Sequence, residues 1–207
     1  MANTSSMTNP ASRCRGRPRE FDVDDALDKA IVVFCQRGYH ATSIGDLTDA
    51  MELASGSIYK AFKDKRAVFM AAFERSRTQR QQLIERTVHS VTSGRDKVQA
   101  FLTLYAESSH GVEGQRGCMI VGSATELATF DAEIAGQVKA AVRRNEGLLL
   151  NLLVMGQQDG SLPATLELAA TARMLLCLIQ GMRIVGKTGP SQDDMAAVVG
   201  VAMKILD

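Results

Sequence analysis

The side chains with the most chemical capacity sit close together, in Ser55-Gly56-Ser57-Ile58-Tyr59-Lys60 and in Thr42-Ser43-Ile44-Gly45 just ahead of it. Ile58 and Phe62 recur at i, i+4, the inward stripe of a short helix. On a 3.6-residue wheel this stripe leaves Gly56, Ser57 and Lys60 outward, with Tyr59 at the flank and Ser55 at the helix start. Thr42, Ser43 and Gly45 add hydroxyls and an uncovered backbone nearby. Hydroxyls, one cation and bare backbone suit base edges and phosphates. Tyr59 and, further on, Lys65 are expected at phosphates, and Lys60 at a base edge. Catalysis has no comparable support. There is no G-x-S-x-G, no G-x-x-x-x-G-K-[ST] and no H-E-x-x-H, and His40, His89 and His110 are scattered along the chain. An enzyme is therefore the weaker class.

Two helices and a corner must position these groups. Ile44, Leu47 and Met51 fall at i, i+3 and i+7, and Ser43 with Asp46 at the third helical position forms a capping pair for the start of that helix. Asp64-Lys65 opens a longer helix. The stretch resembles the helix-turn-helix of the TetR family of bacterial transcriptional regulators. The resemblance rests on Gly38-Tyr39, Ala41-Thr42-Ser43-Ile44, Gly56-Ser57-Ile58-Tyr59, and Phe62 followed by Asp64-Lys65, collinear and ungapped over about fifty residues. Two positions depart from the family pattern. Glu52 stands where glycine is usual at the corner, and Ala54 stands where Ser or Asn commonly caps the recognition helix, a cap worth roughly 1 kcal/mol.

The resemblance implies an all-α fold with an N-terminal three-helix DNA-binding domain over 21–66 and a larger C-terminal helical domain over 67–207. It implies a cytoplasmic, homodimeric regulator, a repressor by the family's commoner mode, bound to double-stranded operator DNA and released by a small-molecule effector. No metal and no cofactor is expected.

Net charge is only +1 over 207 residues, so any DNA affinity depends on where the charge sits. Arg13, Arg15, Arg17 and Arg19 alternate with no acid among them, and Glu20, Asp22, Asp24, Asp25 and Asp28 follow at the start of the first helix, where acids favour the dipole. Arg15-Gly16-Arg17-Pro18 has the form of a minor-groove arm, which makes 1–20 either an arginine-rich arm along DNA through Arg15 and Arg17 or a solvated tail.

Beyond Lys65 the pattern predicts helices at Lys65–Thr92, Asp96–His110, Cys118–Ala128, Asp131–Gln158, Leu166–Lys187 and Asp193–Leu206, with Gly111–Gly117 as a glycine-dense loop. The run Leu166–Val185 is interrupted by Arg173, Gln180 and Arg183, which argues against a membrane span. Leu148–Met155 and Met174–Met182 are apolar nearly all round, as a central core or a two-fold interface requires. A dimer through 131–158 and 166–187 follows from the second alternative together with the resemblance.

The resemblance also implies an effector pocket among the middle helices, with Phe73, Phe101, Leu104, Tyr105, His110, Cys118 and Met119 as candidate lining; ordinary core is the alternative for the same residues. No charge pattern selects the sign of the ligand. Cys14, Cys35, Cys118 and Cys177 lack metal-binding or disulfide spacing. Cys35 and Cys177 fit core positions. Cys118, after a glycine-rich segment and near Arg116, admits a second regulatory reading, sensing of oxidants or electrophiles.

Overall fold

Asp22 starts the first helix, α1 (Val23–Arg37), by accepting the Asp24 amide at 2.8 Å, and Gly38 ends it with φ at 78°. The computed structural model describes residues 21–129 and 131–207, so Arg15, Arg17 and the rest of the proposed arm lie outside the described residues. In α2 (Ile44–Met51) Ser43 and Asp46 form the expected reciprocal capping box. The third helix, α3 (Ser55–Ala61), starts at Ala54 without a side-chain cap.

The corner between α2 and α3 turns on Glu52, whose φ of 57° and ψ of 40° are left-handed. Among the described residues it is the one non-glycine residue with positive φ. A side chain there crowds the backbone, and the exposed pair with Lys29 at 3.3 Å offsets little of that cost. Glu52→Gly should therefore raise unfolding free energy by about 0.5–1 kcal/mol, visible as a higher urea midpoint. A lower midpoint would show that the Lys29 pair outweighs the backbone strain.

The remaining elements are α4 (Lys65–His89), α5 (Gly94–Glu107), α6 (Gly111–Arg116), α7 (Met119–Glu126), α8 (Ala132–Gln158), α9 (Leu168–Val185), a 3-10 turn over Gly186–Thr188, and α10 (Gln192–Lys204). All regular structure among the described residues is helical. The expected loop at 111–117 is instead a short helix. Its outer glycines, Gly111 and Gly117, carry the positive φ at its two ends, while Gly114 serves close packing: a Cβ there would lie 2.6 Å from the Ser109 backbone. Likewise Gly94 does not simply stop α4. It opens α5 against α8, where a Cβ would come within 2.1 Å of the Gly156 backbone nitrogen.

Two apolar cores organise the chain. One joins α1–α3, the first turns of α4, α7 and the front of α8, through Leu47, Ile58, Phe69, Phe73 and Met119 among others. The other joins the far end of α4 with α5, the rear of α8, α9 and α10. Both α4 and α8 therefore run through both cores, and each couples the N-terminal end to the body as a rigid rod. Ion pairs reinforce the joint. Arg75 on α4 grips Asp28 on α1 at 2.6 and 2.7 Å, and Arg66 grips Asp131 at the start of α8 at 3.0 and 3.1 Å. The guanidinium hydrogen bonds hold both carboxyls below the usual Asp range. Asp28 thus ties helices together, beyond the dipole role its position suggested.

The helix segment Leu168–Thr188 is, by length and composition, apolar enough to cross a membrane, despite its arginines. In the fold its inner face packs on α8 and α5 through Leu175 and Ile179, and Arg183 is buried and donates to the Gly117 carbonyl at 2.6 Å.

Candidate nucleic-acid interface

Ile58 is 1% exposed and anchors α3, and this places the other side of the helix in solvent. Ser55, Gly56, Tyr59 and Lys60 are exposed there and Ser57 is half-buried, in agreement with the wheel. Ser43 and Gly45 are exposed at the start of α2. Lys63, in the corner after α3, is exposed beside them and adds a cation that sequence reasoning passed over because it lies outside the helical pattern.

Thr42 does not belong to this surface. It is 1% exposed, and its hydroxyl donates to the Gly38 carbonyl at 2.6 Å, so its side chain closes the α1–α2 turn instead of reaching a groove. Lys65 is also engaged internally. Its Nζ donates to the carbonyls of Tyr39 at 2.9 Å and Thr42 at 2.8 Å and lies 4.3 Å from the Tyr39 ring centre. Tyr39 in turn packs edge-on against Phe69. The α1–α2 turn is thus welded to α4 by a lysine that the sequence alone suggested only as a phosphate contact.

A second unforeseen residue is Glu126, the last of α7. Its carboxylate accepts the amides of Tyr39 at 2.9 Å and His40 at 2.6 Å, bridging the body to the same turn. Gly38 makes room for it, because a Cβ there would lie 2.4 Å from the Glu126 Oε2. No local pattern marks such a contact across 87 residues of sequence.

Gly56 is not required by the fold: its φ is not positive and an added Cβ would meet nothing within 4 Å. Its lack of a side chain leaves the backbone there uncovered. Gly56→Ala should leave stability equal or raise it by up to about 1 kcal/mol, while reducing DNA affinity. A thermal melt paired with a DNA titration checks both halves, and unchanged affinity would remove Gly56 from the interface.

Residues 26–72, covering α1 to the early turns of α4, match the family model described as bacterial regulatory proteins, tetR family. Across almost the whole chain, the sequence is 29% identical to the HTH-type transcriptional repressor ComR of Escherichia coli (strain K12), over 96% of this chain and 95% of that protein. The fold superposes with a TM-score of 0.83 and 27% identity on a cysteine mutant of the TetR family regulator CifR solved with 26-bp double-strand operator DNA, covering 93% of this chain and 100% of that one. Residues 26–72 form a DNA-binding domain of the TetR family. The chain is accordingly a helix-turn-helix DNA-binding transcriptional regulator and not an enzyme. An uncharacterized HTH-type regulator of Bacillus subtilis (strain 168), YezE, is 24% identical over 93% of this chain and 100% of that protein.

Beyond this domain, the body of the chain redistributes the residues expected around an effector. Phe73 and Phe101 are 2% and 0% exposed and fill different cores, so they line no common cavity. Leu104 faces an open groove between α4 and α5 near Thr87 and Val91. Met119 closes a narrow cleft against Phe34, Tyr39 and Phe69, and His110 caps α6 without a side-chain hydrogen bond. A partly open cavity lies elsewhere, between α4, α7 and α8, with a volume of about 160 Å³. Of the expected residues, Tyr105 comes closest: its hydroxyl accepts the Asn145 amide at 2.9 Å, and Asn145 lines that cavity.

Cys118 caps α7 and is half-buried. Cys35 is buried, and burial pushes its thiol up to about 12, which leaves it protonated and unreactive. Cys177 is exposed on α9, contrary to the core position its apolar run suggested. An all-apolar helix shows one face to its own core and the other outward, and a sequence does not say which face carries the thiol.

Proposed function

We propose that this protein is a cytoplasmic homodimeric repressor that holds a palindromic operator and is released by a small-molecule effector bound in its body. The observation that carries the reading is the exposed Gly56, Tyr59 and Lys60 face, held in place by a turn that both α4 and α7 grip. The operator-bound neighbour and the repressor relative support the same assignment. In this reading 21–66 reads DNA, with Arg15 and Arg17 of the 1–20 arm entering an A·T-rich minor groove, and 67–207 binds effector and partner.

The apolar faces support a dimer, on helices shifted from those expected. Helix 132–158 spends its leucines inside one chain, where Leu149, Leu152 and Leu153 are 0–3% exposed. The uncovered apolar surface belongs to α9 and α10, with Ile184, Val185, Val201 and Ile205 each about half exposed or more. Met174 and Leu178 continue it in an open groove. An apolar face of this breadth calls for a partner, and packing α9 and α10 on their symmetry mates would cover it. Two copies so joined would set two α3 helices in successive major grooves, about 34–36 Å apart.

A gel shift with the DNA upstream of the protein's own gene, run at salt that dissociates non-specific complexes, tests the reading. A discrete complex of two chains per site is expected. Binding no tighter than to unrelated DNA would overturn it.

A further inference from the structure

The effector-binding body proposed above gains a chemical identity from the cavity between α4, α7 and α8. We propose that this cavity takes a small organic monoanion, a carboxylate on an apolar body of about the size of benzene. Ile84, Ile120, Ala141 and Leu148 supply apolar wall. A volume of about 160 Å³ is that of a site that holds one benzene-sized group, since a cavity of about 150 Å³ is known to accept benzene.

The charge on the wall sets the sign of the ligand. Three guanidinium groups, Arg77, Arg80 and Arg144, line the cavity against one carboxylate, Glu85. Arg77 and Arg80 are ion-paired to Glu74 and Glu113, which lie outside the lining. Arg144 differs. Among the described residues it makes no ion pair, and its Nη1 donates to the neutral Gln81 amide oxygen at 2.7 Å. Gln81 in turn donates to Glu85 at 2.9 Å, which holds that carboxylate on the rim. A bidentate Arg144–carboxylate contact would replace a bond to a neutral acceptor by a charge-assisted pair.

The floor is electropositive as well. Asn145 donates to Tyr105, and the Arg80 guanidinium lies 5.7 Å from the centre of the same ring. Arg183, 3% exposed with Nε and Nη1 unpartnered, is a further buried cation of the body, outside the cavity lining. Glu85 in the lining, with Glu74 and Glu113 paired to two of the arginines from outside it, offsets part of this charge, which disfavours a dianion.

The test uses the full-length protein without DNA, titrated calorimetrically with benzoate and with its neutral isostere benzamide. Benzoate is expected to bind about tenfold or more tightly than benzamide. Arg144→Gln, an exposed position that the fold tolerates, should bring benzoate down to the benzamide level and leave benzamide unchanged, while Arg144→Lys should recover part of the difference. Equal binding of the two probes, insensitivity of benzoate to Arg144→Gln, or no heat from either up to about 10 mM would overturn the proposal. The operator gel shift is scored separately. Probe binding without any operator complex would fail the repressor assignment and leave the cavity chemistry standing; an operator complex in a protein indifferent to both probes would do the reverse.

Discussion

Lys65→Ala should lower the stability of the DNA-reading end by about 2–3 kcal/mol and weaken operator binding at least tenfold on every sequence alike. Two hydrogen bonds from the ammonium group, to the Tyr39 and Thr42 carbonyls, disappear together with the contact over the Tyr39 ring. Charge-assisted bonds are worth about 1.5–3 kcal/mol each when buried and less at this half-buried site, and the ring contact adds about 0.5–1 kcal/mol. Chemical denaturation measures the first effect and DNA titration at several salt concentrations the second. The salt slope separates two origins of the lost affinity. A slope reduced by about one unit means that Lys65 also neutralises a phosphate, and an unchanged slope confines it to holding the turn. Lys60→Ala is the control, with normal stability and weakened DNA binding. A Lys65→Ala protein that melts and binds like the parent would show that the turn is held by Glu126 alone.

Glu126→Ala should cost about 2 kcal/mol, and it should do so by detaching the reading end from the body. Its carboxylate is the acceptor for the Tyr39 and His40 amides, both within 2.9 Å, and alanine leaves these two donors to whatever solvent reaches the turn. Glu126→Gln keeps one good oxygen acceptor and should lose about half as much. The larger consequence is in coupling. With the Glu126 bridge gone, α7 keeps only its apolar contact with the reading end through Met119, so effector-induced operator release should weaken within the usual coupling range of about 5–150-fold. Hydrogen exchange at the Tyr39 and His40 amides, together with operator release, measures both effects. Protected amides and full release in Glu126→Ala would remove this residue from the path.

The helical pattern was legible because it is local. The capping box at Ser43 and Asp46, the stripe of Ile44, Leu47 and Met51, and the outward Gly56 and Lys60 all follow from residues within a turn or two of one another, and the structure places them as the 3.6-residue period requires. The missing cap at Ala54 and the strained corner at Glu52 were equally visible, since each depends on one side chain and its own backbone. Where periodicity gave way to glycine content it misled. Gly111–Gly117 looked like a loop, yet Gly114 is there for contact with Ser109, and proximity of two backbones leaves no local signal.

What a side chain faces across the molecule was decided by the tertiary structure alone. Thr42 looked like a surface hydroxyl and is buried; Lys65 looked like a phosphate ligand and ties two helices; Cys177 looked like core and is exposed. Arg77 and Arg144 are 67 residues apart and share no pattern, but helices α4 and α8 bring both to one cavity, so the charge of the site emerges only from packing. Hydrophobic burial fixes which face of each helix turns inward through many weak contacts summed over distant residues. The sequence by itself determined the helices and the DNA-reading motif, because hydrogen bonding and capping act over a few residues; the fold decided the pairings, the cavity and the free apolar face, because those depend on contacts that close only when the whole chain is packed.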